Sequence, residues 1–155
     1  MKLGTDLDHL LGYQLQRSHM LAIDDARQSL QPFGVTPAKL TALLLIRANP
    51  GCDQTALGRA LSINRSSAMK LVNFLAERGL VERRPGRDLR TNALYLRPGA
   101  EQRIDEMVQA LRESDARVAE RLSSAERAQL TGLLRKLGPA RTRRTKEAAG
   151  WPGST

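Results

Sequence analysis

Between Asp53 and Pro98 the chain reads as a short helix, a tight turn, a second helix and then a cationic hairpin. Asp53 is a good helix N-cap, and Ala56, Leu57, Ala60 and Leu61 follow at helical spacing. After Ser62 and Ile63, Asn64 caps a second predicted helix that runs through Arg78 and is stopped by Gly79. Ala68, Leu71, Val72 and Leu75 form its core-facing side, Arg65, Ser66, Met69, Lys70 and Asn73 the other, and Phe74 lies between. Short hydroxyls, an amide and two cations are groups that reach base edges and phosphates from a helix in the major groove. A solvated amphipathic helix shows a similar two-sided pattern, and on this helix alone that plainer reading is favoured.

The next segment changes that. Leu80 to Arg84 reads as a strand, Pro85-Gly86-Arg87-Asp88 as a turn, and Thr91 to Leu96 as the returning strand with a period of two. Arg83, Arg84, Arg87 and Arg90 crowd this hairpin, and Asp53–Gly99 holds nine Lys/Arg against four Asp/Glu. A helix-turn-helix followed by a cationic hairpin is a winged helix-turn-helix. The second helix would enter the major groove while the wing follows phosphates or the minor groove.

The run Asn64-Arg65-Ser66-Ser67, the join Leu75-Ala76-Glu77-Arg78-Gly79-Leu80-Val81-Glu82-Arg83, and Asp88-Leu89-Arg90 at the wing tip follow one another in order. In this the chain resembles the MarR family of bacterial transcription regulators over roughly residues 7 to 138. The resemblance implies an all-helical dimer interface, with Asp88 holding Arg90 in position as a charged pair can. It also implies a small effector, often an aromatic or phenolic acid or its coenzyme A thioester. One departure is Arg97, where the family usually has a threonine before the proline; this removes a helix cap and adds a cation beside the wing.

The formal net charge of +9 agrees with a polyanionic partner, and its distribution says more than its sum. Asp53–Gly99 carries an excess of five, Arg135, Lys136, Arg141, Arg143, Arg144 and Lys146 another six, and the remainder nets −2. Few aromatics and many Leu and Ala favour helices over sheets. No stretch approaches eighteen apolar residues, and Met1 to Leu10 lacks the apolar core of a signal peptide, so a cytoplasmic protein without membrane contact is expected.

Asp6 to Gln31 is a long helical candidate interrupted only by Gly12, and Gln31-Pro32-Phe33-Gly34 breaks it. Thr36 caps the next helix, with Pro37 in its first turn and apolar Leu40 to Ile46 nearly all round. Pro98 opens a long helix through Leu122, and Ser123-Ser124-Ala125-Glu126 is a capping box for a last helix to Leu137. The expected fold is mainly α with a small β-hairpin wing. It divides into an N-terminal dimerisation helix (1–34), the winged helix-turn-helix (35–97), C-terminal dimerisation helices (98–140) and a basic tail read as disordered (141–155). Leu130, Leu133, Leu134 and Leu137, with Leu7 and Leu11, are the expected contacts with a second copy; an intramolecular bundle is the plain alternative.

The groove face is assigned to Arg65, Ser66, Ser67, Lys70 and Asn73, with Arg65 or Asn73 reading bases; Met69 meets a thymine methyl or is partly buried. Arg84, Arg87 and Arg90 reach DNA from the wing. Thr36, Asp53, Gln54 and Thr55 stand at helix starts, where amides meet phosphates. For an effector, apolar walls and a cation are needed, and Tyr13, Arg17 and Met20 with Leu43, Arg47, Met107 and Leu111 are the candidates. The bland reading puts Arg17 and Arg47 in surface ion pairs. Cys52 sits away from the first helix, where some members of the family it resembles use an oxidisable cysteine, and is expected to be buried and inert.

Two histidines ten apart and one distant cysteine give no metal-ligand spacing, and no phosphate loop, nucleophile elbow or carboxylate pair suggests an enzyme or a cofactor. The expectation is a dimeric, ligand-released repressor on a near-palindromic operator. The main rival is a winged domain that docks onto an acidic protein; an RNA-binding domain is disfavoured by the lack of aromatics for base stacking.

Overall fold

The computed structural model describes residues 5–86 and 92–137, in two compact units that divide after Val118. The first unit opens with helix α1 (Thr5–Asp8) and helix α2 (Leu11–Leu30) rather than one continuous helix from Asp6. Leu10 is extended, at φ −80° and ψ 113°, which breaks the ladder two residues before Gly12. The Gln14 side chain takes over the freed acceptors, its Nε2 donating to the Asp8 carbonyl at 2.7 Å and to the Asp8 carboxylate at 3.2 Å. A single 3₁₀ turn (Gln31–Phe33) ends at Gly34, whose φ of 65° turns the chain.

Helix α3 (Pro37–Ala48) begins as its sequence predicts, with Thr36 Oγ1 accepting the Lys39 N–H. Leu40, Leu43 and Ile46 on it are wholly buried. At roughly 1.5–3 kcal/mol for each such side chain, this helix stabilises the unit far more than any cap does. Strand β1 (Cys52–Asp53) was not expected from sequence, because two residues carry no periodicity to read. It runs directly into helix α4 (Gln54–Ala60), capped by the Asp53 carboxylate on the Ala56 N–H at 2.7 Å.

Helix α5 (Arg65–Glu77) follows a turn in which Ser62 takes φ 55°, and Asn64 Oδ1 accepts the Ser67 N–H at 2.8 Å. Gly58 lets α4 and α5 approach: a Cβ there would stand 3.3 Å from the Ala68 Cβ. Gly79, at φ 69°, closes α5, and the Leu80 N–H returns to the Leu75 carbonyl.

Strands β2 (Val81–Pro85) and β3 (Asn92–Leu96) form the wing, and the antiparallel sheet runs β1-β3-β2. Val81 opposes Leu96, Glu82 opposes Tyr95, and Arg83 opposes Leu94. Helix α6 (Ala100–Val118) starts after Gly99 at φ 84° and ends four residues before the expected Leu122. Leu30, Leu40, Leu43, Ile46, Leu75 and Ile104 centre the core that joins α2, α3, α5 and α6.

The second unit contains helix α7 (Ser124–Leu137). Its capping box forms as the sequence predicts: Ser123 N–H donates to Glu126 Oε2 at 2.8 Å, and the Glu126 N–H to Ser123 Oγ at 3.3 Å. No residue of α7 is buried, and Leu130, Leu133, Leu134 and Leu137 are all exposed.

Candidate nucleic-acid interface

The outer face of α5 is built by what its inner face does. Ala68, Val72 and Leu75 bury at helical spacing, which turns Arg65, Ser66, Met69, Lys70 and Asn73 to solvent. Ser67 is exposed beside them, and half of the Met69 side chain is open. The start of α4 brings Gln54 and Thr55 to the surface, and exposed Thr36 marks the start of α3. Asp53 is different, since its carboxylate is turned onto its own helix as a cap.

The period of two in the wing sorts its arginines. Arg84 projects from the face that carries Glu82 and Tyr95; it is paired with the Glu82 carboxylate and lies 4.5 Å from the Tyr95 ring centroid. Arg83 projects from the opposite face, with Val81 and Leu94, and donates from Nη2 to Asn73 Oδ1 on α5. That link between recognition helix and wing was missed in the sequence, although the alternation that buries Val81 also aims Arg83 toward α5. Arg87, Asp88 and Arg90 at the wing tip, and the basic run from Arg141, lie outside the described residues.

Phe74 holds a second group of cations together. Lys39 Nζ is 3.3 Å and Arg78 Cζ 4.4 Å from its ring centroid, so α3 and α5 are joined through one aromatic face system. Lys39 was not singled out from sequence and Arg78 was read only as part of the helix–wing join, because their shared partner is visible only after folding.

Of the seven residues expected to hold an effector, Leu43 and Met107 meet in the core, with Leu111 packed against it. Leu43 and Met107 are core side chains with 0% exposure, since α3 and α6 turn them toward each other's buried faces. Arg47 is neutralised by Asp105 at 2.7 Å and Glu101 at 3.6 Å, as the plain ion-pair reading held. Tyr13 and Arg17 stack at 5.9 Å on α2, Met20 is exposed, and Leu111 is half-buried. A cavity of about 160 Å³ lies between the end of α3, β1 and α4, lined by Leu45, Asn49, Cys52, Ala56, Leu57 and Ala60.

Cys52 is half-buried in that wall, and burial, then the neighbouring Asp53 charge, pushes its thiol up from its ordinary value. A thiol held protonated is a poor nucleophile. Among the described residues no group of three or more His, Cys, Asp or Glu side chains is placed to hold a metal, and no helix is long and apolar enough to cross a membrane.

Known proteins share this arrangement. Residues 33–90 match the model of the MarR family. A putative transcriptional regulatory protein for the hcr operon of Thauera aromatica is 39% identical over 129 residues, covering 82% of this chain and 78% of that one. The transcriptional repressor CouR bound to a 23-mer DNA duplex superposes with a TM-score of 0.82 at 28% identity, over 88% of this chain and 99% of that one. The Mycobacterium tuberculosis MarR family protein Rv2887 in complex with salicylic acid superposes at 0.69 with 25% identity, over 83% and 96%. With an exposed polar α5, a wing on β2 and β3, and relatives of this extent, the chain belongs to the MarR family of winged helix-turn-helix transcription regulators.

Proposed function

We propose that this regulator is a repressor that binds a near-palindromic operator as a homodimer and leaves it when a small aromatic acid, or the coenzyme A thioester of one, binds. The observation that carries the reading is the outer face of α5, where Arg65, Ser66, Lys70 and Asn73 stand exposed beside the arginines of β2. Arg65 and Asn73 read base edges, Lys70 and Ser66 hold the helix in the groove, and Arg84, Arg87 and Arg90 follow phosphates from the wing. Thr36, Gln54, Thr55 and Ser67 orient the unit from helix starts. The duplex-bound CouR supports this docking.

Two copies pair through the exposed Leu7 and Leu11 of the first unit and the exposed leucines of α7. The pair sets two recognition helices at a spacing that fits successive major-groove faces. The effector is held near Tyr13, Arg17, Met20 and Leu111, the members of the candidate group that remain accessible, and salicylic acid on Rv2887 supports its chemical class. A ligand that prefers another spacing of the two lobes shifts the population away from the DNA-competent form.

Gel retardation with duplexes from the region upstream of the chain's own gene tests the first half. Retention that falls steeply with salt and an altered sequence preference for Arg65→Ala are expected. Indifference to every duplex would sink the reading. Thermal-shift screening of salicylate, other phenolic acids and their thioesters, followed by release assays on the retained duplex, tests the second.

A further inference from the structure

We infer that Arg83 is a positioning residue that turns Asn73 into a donor-only reader, giving the operator a guanine, not an adenine, under the end of α5. The inference rests on the proposal that α5 enters the major groove. Asn73 Oδ1 accepts from Arg83 Nη2, with both residues exposed at the surface. An amide can face a neighbour with either end, yet a guanidinium carries only donors and accepts nothing. Turning the amide by half a revolution would set Nδ2 hydrogens against guanidinium hydrogens. Arg83 therefore fixes the oxygen toward the wing and the NH2 outward.

That orientation matters for what can be read. Pairing an asparagine with adenine needs both ends outward, Nδ2 donating to N7 and Oδ1 accepting from N6. With Oδ1 turned to the wing, the outward tip can only donate. Guanine offers two acceptors, N7 and O6, on its major-groove edge, whereas adenine sets a donor beside its one acceptor and cytosine presents a donor. Acceptor-rich guanine is the base such a tip selects. Arg83 is held to this task by the sheet: its place opposite Leu94 in the β2–β3 ladder points it at α5, while Arg84 turns to Glu82 and Tyr95.

The experiment is selection of bound duplexes from a randomised pool, followed by competition binding with each base at the position whose preference flattens in Asn73→Ala. For the unaltered protein, guanine is expected over adenine at that position by on the order of tenfold. In Arg83→Ala the ratio collapses or inverts toward adenine; Arg83→Met, which keeps the stem without donors, does the same. Arg83→Lys, whose ammonium also only donates, restores guanine. If Arg83→Ala weakens every sequence by one factor and leaves the base ratio unchanged, Arg83 is a phosphate contact and the inference is overturned. Adenine preference in the unaltered protein overturns it as well. Failure of the unaltered protein to retain any duplex instead removes the groove reading beneath it, and the two failures are told apart by that control.

Discussion

Arg117 grips Asp25 with two donors, Nη2 reaching one carboxylate oxygen at 2.6 Å and Nε the other at 3.2 Å, although ninety-two positions separate the two residues. The same Nη2 reaches Ser29 Oγ at 2.6 Å, so α6 is fastened to α2 where few apolar side chains of α2 are buried. The Arg117 hydrogen bond, followed by one from buried Ser114, holds the Asp25 carboxyl below its ordinary 3.8.

A depressed carboxyl makes acid the condition that undoes the pair. Its contribution is complete above about pH 4 and is lost as pH falls through the lowered value, because the unfolded chain takes up the proton first. Asp25→Asn should therefore melt below the unaltered protein at pH 7, with the difference narrowing toward pH 2. Melting temperatures across that range check it; a difference that widens in acid contradicts it.

Gly51 sits beneath Tyr95. At φ 81° it adopts a backbone conformation unfavourable to other residues, and a Cβ there would stand 2.8 Å from the Tyr95 hydroxyl oxygen. Gly51→Ala should cost about 1–3 kcal/mol in urea unfolding. Adding Tyr95→Phe should recover part of the loss, since it relieves the crowding and leaves the backbone strain.

The Phe74 ring joins α3 to α5 through Lys39 and Arg78. Phe74→Leu keeps apolar bulk and removes the π-face, so a loss of about 1–2 kcal/mol is expected. Lys39→Met should cost less than Phe74→Leu, because Arg78 still meets the ring. Equal losses in the two variants would argue that the ring serves only Lys39.

Lys70 lies exposed on the outer face of α5, where it meets phosphate in the proposed complex. Lys70→Ala should reduce the slope of log K against log salt by about one and leave sequence preference intact. Binding measured on two unrelated duplexes at four salt concentrations is sufficient.

The leucines of α7 are open to solvent in one chain. Leu133→Glu should give a monomer by sedimentation at micromolar concentration while helix content stays near that of the unaltered protein. A variant that stays dimeric would move the pairing surface elsewhere.

Local devices were the legible part of this sequence. Thr36, Asp53 and Asn64 each place an oxygen three residues before the amide it receives, a relation written within four letters of the chain. The wing showed in its alternation, and α5 in its two faces. What depends on distant partners was less legible. Apolar residues on nearly every side of α3 marked the helix as central but did not say that Leu40, Leu43 and Ile46 would be wholly buried while Leu44 and Leu45 stayed partly open. Arg47 met its carboxylates only once α6 was in place. Arg83 was counted with the other wing arginines because charge alone does not separate the two faces of a strand.

The shortest strand has the widest reach. Cys52 and Asp53 stand opposite Leu94 and Ala93 in the middle of the sheet, and Asp53 is also the cap on which α4 begins. The hairpin is thereby stitched to the threshold of the helix pair, while the Arg83–Asn73 bond clasps its far edge to α5. Held at both borders, the helix pair and the wing form one reading head. In the proposed release an inducer would therefore have no need to unfold or reshape it, and would act on the spacing of the two copies instead.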